Sequence, residues 1–404
     1  MCAAGAGGPG AAGGRRHPPR TLLASRRVSR DSVTTRLARL RVELGPAAEL
    51  FVWSRTLVWA VAALALAWFP ARHGAAYGSG LWVRWDSGWF LRIARHGYAS
   101  DPPETPAFFP LYPGLMAVLG RVLGGRYALA GLLVALASCL VAFELLWRLA
   151  ARRLGADGAF RAVLYLALFP TALFLQAVYS ESLYLALALA AFALAEARRW
   201  PWAAAAGGLA LLTRSSGVAV VAGIAVLAWP DIKALAWVAG AAAALFALLP
   251  LTLLLQISNA WAFLHTQAEW NRHLSHAGPF GGLWDAVSGL GSTPESTTAS
   301  HALAVDLESL IFLLFFLALL PLVWRRLGPA YGVFAAVSVL LPLSFPASDF
   351  PLLSFPRFGV VIFPFFVVLA GLGRRPRVHA LIVSLSAALL AVALVEWVTF
   401  NWVA

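Results

Sequence analysis

The sequence predicts an all-α, polytopic membrane protein, and two observations support that prediction. Of the 404 residues, 61% are hydrophobic and only 12% are charged, and the mean hydropathy is +0.77. These values are typical of chains that cross a bilayer several times and exclude an ordinary soluble domain. The chain also contains 17 tryptophans, a residue type that concentrates at membrane–water interfaces.

The net charge of +13 does not indicate a nucleic-acid partner, because the basic residues are local. Residues 1–45 contain nine arginines, are rich in glycine, alanine and proline, and have no apolar core. We therefore expect a disordered basic cytoplasmic tail at 1–45. The later arginines lie mostly in short clusters between apolar runs, which favours contacts with membrane lipids and a positive-inside topology. The two cysteines, Cys2 and Cys139, predict neither a disulfide framework nor a cysteine metal site.

Residues 46–404 are predicted to form the integral membrane domain, with about eleven spans. The first run, 50–69, follows a basic segment and is expected to act as an uncleaved anchor that leaves the cytoplasm. The remaining spans are predicted at 127–149, 160–177, 183–197, two half-helices within 202–229, then 234–257, 307–324, 330–345, 358–372 and 378–400. This order places the C-terminus outside.

Two outer loops are predicted, at 84–124 and at 258–306. In the first loop Gly88 falls on one helical face with three arginines, while the opposite face is apolar; the arginines are Arg84, Arg92 and Arg95, and the apolar residues are Trp82, Trp89, Phe90 and Ile93. This pattern predicts a helix that lies parallel to the membrane surface. The apolar stretch 107–124 contains Pro110 and Pro113, so we expect an interfacial or re-entrant segment there and not a span.

Asp86 projects onto the apolar face of this first outer-loop helix, and two interpretations of it stay open. Aspartate is a good N-cap, and a helix that begins at Ser87 would place Asp86 in that position. Alternatively, Asp86 is a general base at the water–lipid boundary, where partial loss of solvent can raise the pKa of a carboxyl group.

Three further ionisable residues lie beside apolar runs, where such groups are candidates for function. Arg214 separates the two half-helices of 202–229, and Arg357 opens the tenth span. Each is suited to binding a phosphate, or is an arginine that extends to the interface. Glu181 either orients a substrate hydroxyl or favours the start of the helix that follows it. Arg55 and Glu196 lie near predicted cytoplasmic ends, where an extension toward water is the ordinary expectation.

The second outer loop admits a metal site without predicting one. If residues 265–276 were helical, four potential ligands would share a face, at His265, Glu269, His273 and His276. A solvated polar face gives the same pattern, and the ligand geometry is unspecified. We therefore expect no metal.

Several segments resemble the PIG-V mannosyltransferases, a family that includes GPI mannosyltransferase 2 and bacterial relatives. The resemblance is carried by RWDSGWFLRIARHGY at 84–98, AFFPLYP at 107–113, LFPTALFLQAVYSESLY at 168–184, LLTRSSGV at 211–218, AWAFLHTQAEW at 260–270 and PRFGVVIFPFF at 356–366. These segments occur in consistent order over roughly residues 50–400, and the tail lies outside them.

The resemblance implies a C-type glycosyltransferase bundle whose first outer loop supplies a catalytic acid. It implies a mannosyltransferase that uses a polyprenyl- or dolichyl-phosphate mannose donor, a glycolipid or other acceptor, and no cofactor. By the same resemblance Asp86 is the catalytic carboxylate. The expected substrate-binding residues are Arg214, Arg357, Glu181, Glu104 and Tyr98. The expected location is a bacterial plasma membrane, or the endoplasmic reticulum membrane of a eukaryote, with the active site on the extracytoplasmic or lumenal side.

Two other function classes are alternatives to a glycosyltransferase. A lipid or glycolipid transporter or flippase predicts ionisable residues spread through several spans and an internal repeat, and the sequence shows neither feature. A non-catalytic membrane subunit that stabilises a partner stays open, and a substitution at Asp86 would separate it from an enzyme.

Overall fold

The computed structural model describes residues 45–69, 78–99, 103–290 and 299–403, and helices dominate these ranges. They contain no β-strand, only an isolated antiparallel bridge between Arg272 and Ala347. Residues 1–44, which hold nearly all of the predicted tail, lie outside the described part.

The helices follow one another with short connections, in agreement with the predicted all-α class. In chain order they are α1 (Pro46–Trp68), α2 (Asp86–His96), α3 (Leu111–Val122), α4 (Tyr127–Leu168), α5 (Glu181–Glu196), α6 (Trp200–Thr213), α7 (Gly217–Ala228), α8 (Ile232–Phe246), α9 (Leu248–Ile257), α10 (Ala262–Glu269), α11 (Pro279–Ser288), α12 (Ala299–Leu327), α13 (Pro329–Leu343), α14 (Phe355–Gly359), α15 (Phe363–Leu372) and α16 (Pro376–Val398). Alanine and leucine predominate, and both have high helix propensity.

Five helical segments of the described ranges are long and apolar enough to cross a membrane. They are α1, α4, the nearly continuous pair α8 and α9, residues Leu303–Leu327 of α12, and α16. Shorter apolar helices are α3, α7, α13 and α15. The integral membrane class is thus confirmed, whereas the predicted count of about eleven spans is not.

Local backbone chemistry explains where helices break. The predicted span 127–149 and the first part of the predicted span 160–177 fall within α4, which changes direction at Gly155, where φ is 74°. That left-handed value suits glycine, which has no Cβ to clash. Helix α4 ends at Leu168, short of the predicted 177, because Pro170 disfavours helical backbone at the residue before it. The predicted pair of half-helices within 202–229 is confirmed, since α6 ends at Thr213 and α7 begins at Gly217.

Arg55 departs from the expectation that it extends toward water. Its side chain is buried and donates to the carbonyl oxygens of Ala167 and Ala172, at 3.0 Å each. These carbonyls lie where α4 ends, and a helix end leaves acceptors that need partners. Arg55 therefore satisfies the end of a neighbouring helix inside the bundle.

Helix α4 lies at the centre of the membrane domain and packs against α1, α3, α5 and α15. Helix α5 runs beside it for 16 residues, or about 24 Å, from Glu181 to Glu196. At its far end, Glu196 forms ion pairs with Arg152 and Arg153 and accepts a hydrogen bond from Tyr331. The predicted cytoplasmic cluster is therefore assembled at the opposite end of α5 from Glu181.

The first outer loop forms the predicted amphipathic helix, with one correction. In α2, Phe90 and Ile93 are buried, whereas Arg92 and Arg95 are exposed. Arg84 is not on that exposed face, because it precedes the helix; its guanidinium is buried over the Phe400 ring, 3.8 Å from the centroid.

Candidate active site

Asp86 is the first residue of α2, and its side chain does not cap that helix. The N-cap position is held by Trp85, which makes no side-chain capping bond and has a φ of 42°. The carboxylate of Asp86 instead forms an ion pair, from Oδ2 to Nη1 of Arg357, at 2.6 Å. The capping interpretation of Asp86 is therefore wrong, and the carboxylate is directed by a charged partner.

Four charged side chains from distant parts of the sequence form a continuous series of ion pairs, here named the ionic chain. After the Asp86–Arg357 pair, Nε of Arg357 lies 2.5 Å from Oε1 of Glu181. The same oxygen of Glu181 lies 2.5 Å from Nη1 of Arg214. The ionic chain thus contains Asp86, Arg357, Glu181 and Arg214, all of which the sequence singled out as candidates.

Glu181 is the buried centre of the ionic chain. It begins α5, and its side chain is 1% exposed. Its second oxygen, Oε2, is buried and has no hydrogen-bond partner among the described residues. The expectation that Glu181 occupies the first turn of a helix is correct, and the same position lets it hold two arginines together.

The aromatic surroundings orient Arg357. Its guanidinium carbon lies 4.7 Å from the centroid of the Tyr179 ring and 5.2 Å from that of Phe174. Tyr179 also accepts a hydrogen bond from the backbone N–H of Asp86, at 3.2 Å, and donates one to the carbonyl of Arg84, at 3.1 Å. Tyr179 therefore ties the start of α2 to the cation that pairs with Asp86.

A cavity of about 620 Å³ lies beside the ionic chain. Its walls are mainly apolar and aromatic, and they include Phe108, Phe263, Trp270, Leu341, Phe345 and Phe358. The charged residues that line it are Asp86, Arg214, Arg272 and Arg357. An adjoining pocket of about 120 Å³ is more polar and is lined by Ser180, Thr213 and Ser215 together with Arg214 and Arg357.

Oδ1 of Asp86 remains available to a ligand. No hydrogen-bond partner is found for it within the described ranges, and the side chain is 17% exposed in the cavity wall. Arg357 occupies only Oδ2. The geometry therefore offers one fixed carboxylate oxygen and one free oxygen that can accept a proton.

Two predicted substrate-binding residues do not line the cavity. Tyr98 is buried, and its hydroxyl donates to the carbonyl of Phe108, at 2.6 Å, while burial raises the pKa of that hydroxyl. Glu104 precedes a short 3₁₀ turn, and its carbonyl accepts a hydrogen bond from Trp270 Nε1, at 3.4 Å. Phe108 and Trp270 are cavity walls, so both predicted residues support the site from behind.

Arg272 is the cavity residue that sequence reasoning missed. It lies just beyond the segment 260–270 that carried the family resemblance, in a loop whose histidines were the candidate ligands. The signal available was a lone cation two residues beyond that segment, in the second outer loop.

The four candidate metal ligands of the second outer loop do not share a helical face. Helix α10 ends at Glu269, and Asn271 adopts a positive φ of 51°, so His273 and His276 lie beyond the helix. Within the ranges that the structure describes, no group of three or more histidine, cysteine or acidic residues is arranged to hold a metal ion.

Comparisons with known proteins agree with this geometry. Residues 75–268 match the family model described as Mannosyltransferase (PIG-V). Among solved structures, the chain is similar to ArnT from Cupriavidus metallidurans, whose structure was determined bound to undecaprenyl phosphate, with a TM-score of 0.51 and 17% sequence identity. The match covers 85% of this chain and 64% of the ArnT chain. No curated protein matches the sequence.

The two matches address different properties of the molecule. The structural match, at its low identity, concerns the fold alone, and that fold is the C-type glycosyltransferase bundle that the sequence predicted. The family match agrees with the predicted family and with the predicted enzyme class, a mannosyltransferase. Neither match supports a transporter. Over residues 75–268 the chain therefore matches the PIG-V mannosyltransferase family.

Proposed function

We propose that the protein is an inverting glycosyltransferase that moves mannose from a polyprenyl- or dolichyl-phosphate donor to a lipid-linked or other extracytoplasmic acceptor. The observation that carries the proposal is the position of Asp86 in the wall of a large apolar cavity, with one oxygen held by Arg357 and the other free. A base, a countercharge and an apolar chamber are the features that such a transfer requires.

The cavity walls favour a lipid-linked donor. The aromatic and aliphatic side chains suit an isoprenoid chain, and the arginines of the wall suit a phosphate. The structure of ArnT, determined with undecaprenyl phosphate bound, supports the same donor class for this chain. This chain spans 64% of the length of ArnT, and only the class of donor is proposed by that similarity.

The proposed reaction uses Asp86 as the general base. Oδ1 accepts the proton of the acceptor hydroxyl as the acceptor oxygen forms a bond to the anomeric carbon of mannose. On the opposite face of that carbon, the bond to the phosphate oxygen breaks, and the lipid phosphate leaves with the bonding electrons. A single in-line displacement inverts the anomeric carbon, so a β-linked donor gives an α-mannoside. Guanidinium groups stabilise the charge that develops on the departing phosphate.

The charge distribution supports an extracytoplasmic site. The ionic chain lies at the Glu181 end of α5, whereas Arg152 and Arg153 meet Glu196 at the other end. Basic residues favour the cytoplasmic side of a membrane protein. We therefore place the cavity on the extracytoplasmic side.

The direct test is transfer by the purified full-length protein in lipid vesicles, supplied with radiolabelled polyprenyl-phosphate mannose and a lipid extract as the acceptor source. The proposal expects label in a product that an α-mannosidase releases. Release by a β-mannosidase alone would contradict inversion. Donor that crosses the vesicle bilayer without any transfer would contradict the enzyme and favour a transporter.

A further inference from the structure

Arg272 is held at the cavity wall by two loops that are fastened to each other. It forms the isolated bridge with Ala347, and its guanidinium donates from Nη1 to the carbonyl of Phe345, at 3.0 Å, and from Nη2 to that of Leu353, at 3.2 Å. Further backbone bonds join the same loops, from His273 to Pro346 and from Ser348 to Asn271. The position of the side chain is therefore fixed without a carboxylate.

The charges around the cavity do not cancel. In the ionic chain, Arg214 and Arg357 are balanced by Asp86 and Glu181. Arg272 is the third arginine that lines the cavity, and it forms no ion pair with any carboxylate in the described part of the chain. The wall thus carries one positive charge that the described side chains do not compensate.

The guanidinium of Arg272 also has unused donors. An arginine has five N–H donors, and two of those of Arg272 reach carbonyl oxygens. Burial lowers the pKa of Arg272, the nearby charge of Arg357 acts in the same direction, and Asp86 acts against both. The free donors therefore belong to a guanidinium that lines the same cavity as the Asp86–Arg357 pair, in surroundings where a bound anion would be favourable.

We infer that Arg272 binds the phosphate of the lipid donor, whereas Arg214 acts through Glu181 to position Arg357. This inference rests on the proposed function, and it assigns the binding of the donor phosphate to one residue. Arg214 and Arg357 are committed to carboxylates, so an incoming phosphate meets Arg272 as the uncompensated cation. Apolar side chains of the same cavity, including Leu341 and Phe345, accept the first isoprene units.

The test compares two probes that differ only in the phosphate, undecaprenyl phosphate and undecaprenol. Equilibrium binding of each radiolabelled probe is measured on the purified full-length protein in lipid nanodiscs. Arg272→Gln is expected to weaken undecaprenyl phosphate binding by about 10- to 100-fold, the value of a charged hydrogen-bonded contact, and to change undecaprenol binding by less than about threefold. Arg272→Lys, which keeps the charge, is expected to fall between Arg272→Gln and the wild type.

Asn271→Ala is the matched control for a loss of contact between the two loops. Asn271 is exposed, lies next to Arg272, and joins the same two loops through a 3.1 Å hydrogen bond to Asp349, but it does not line the cavity. It is expected to bind both probes as the wild type does. If Asn271→Ala loses phosphate binding as strongly as Arg272→Gln does, or if Arg272→Gln weakens both probes equally, Arg272 is only structural.

If Arg272→Gln does not fold, binding of the two probes to the wild-type protein tests the inference. The wild-type protein should prefer undecaprenyl phosphate to undecaprenol, and added salt should weaken that preference. Equal affinity for the two probes overturns the assignment of Arg272. Failure of both probes to bind contradicts the proposed function itself, whereas strong phosphate binding that survives in Arg272→Gln overturns only this inference.

Discussion

Glu181 joins two cations through one carboxylate oxygen, and this sharing makes Asp86 dependent on a residue that it does not touch. Arg357 contacts Glu181 through Nε and Asp86 through Nη1. Loss of the Glu181 charge would leave Arg214 and Arg357 facing each other in a buried space. It would also remove the contact to Nε of Arg357 that helps to orient this side chain toward Asp86.

Glu181→Gln is therefore expected to reduce both turnover and stability. Removal of one partner from a buried ion pair costs about 3–5 kcal/mol, because the remaining charge stays buried and unpaired. The measurements are the thermal unfolding midpoint of the purified protein and initial rates with labelled polyprenyl-phosphate mannose.

The matched control lies on the same helix. Glu196→Gln changes the same residue type at the last position of α5, where the side chain is 23% exposed and its partners are Arg152, Arg153 and Tyr331. More exposed ion pairs contribute about 1 kcal/mol or less, and this cluster lies far from the cavity. Comparable losses of turnover in both variants would show that Glu181 has no special relation to the site.

Arg214→Lys tests the role of a planar guanidinium in the ionic chain. Lysine keeps the charge beside Glu181 but loses the fork that fixes the direction of its hydrogen bonds. We expect the donor KM to rise on the order of 10-fold, with little change in the unfolding midpoint. Unchanged donor kinetics would show that Arg214 does no more than neutralise Glu181.

At the residue scale, the sequence was informative where a charge lies beside an apolar run or on an apolar helical face. Asp86, Glu181, Arg214 and Arg357 were all found on that ground, and the structure brings them together. Tyr98 and Glu104 were predicted to bind substrate but do not line the cavity, because sharing a loop with Asp86 does not specify which way a side chain points. Arg272 was missed because its significance depends on pairing, and ion pairs appear only in three dimensions.

The interruption between α6 and α7 sets the position of Arg214. Gly217 begins α7, and a Cβ at this residue would lie only 2.2 Å from the Cα atom of Leu211. The neighbour is backbone, so it cannot move aside cheaply. The close return of the chain onto α6 therefore requires glycine.

Gly217→Ala is expected to destabilise the protein by about 1–3 kcal/mol, the usual cost of overpacking, and to lower turnover because Arg214 shifts. Thermal unfolding and donor kinetics measure both effects. Gly240→Ala is the control, since a Cβ at Gly240, in the middle of α8, meets nothing within 4 Å. That variant should be neutral or gain up to about 1 kcal/mol from helix propensity. A Gly217→Ala protein as stable as Gly240→Ala would show that the close return is not required.

At the element scale, local sequence signals predicted where a helix is present better than they predicted where it ends. The interruption between the two predicted half-helices, at the sequence TRSSG, forms. The apolar pattern of 160–177 hid the helix end at Leu168, because the irregular segment after Pro170 is as apolar as a span. Arg55, from another helix, donates to the carbonyl of Ala167 in the last turn of α4 and to that of Ala172 in this segment, an interaction that periodicity does not contain.

For the whole molecule, the placement of the cavity depends on topology. A tag inserted at Pro103 should be accessible from outside, and one inserted after Arg199, beside the Glu196 cluster, should be cytoplasmic. Labelling with an impermeant reagent on intact cells, before and after lysis, distinguishes the two sides. A Pro103 tag that reacts only after lysis would place the active site in the cytoplasm and overturn the proposed location.

At this scale, the composition predicted the membrane class, and the ordered segments predicted the family and the fold. The cavity itself was not predictable, because its walls come from α2, α7, α13 and both outer loops. Helix packing brings these segments together, and a single sequence gives no distance between them.

Turnover of Asp86→Asn with polyprenyl-phosphate mannose tests the central claim most directly. Asparagine keeps the size of the side chain but cannot accept the acceptor proton, so the account predicts a folded, donor-binding protein whose turnover falls by about 10²–10⁴-fold. Asp231→Asn is the matched control, because Asp231 caps α8 through bonds from the N–H groups of Lys233 and Ala234, and asparagine caps about as well. It should keep normal turnover. An Asp86→Asn protein that turns over as fast as Asp231→Asn would contradict the assignment of Asp86 as the base.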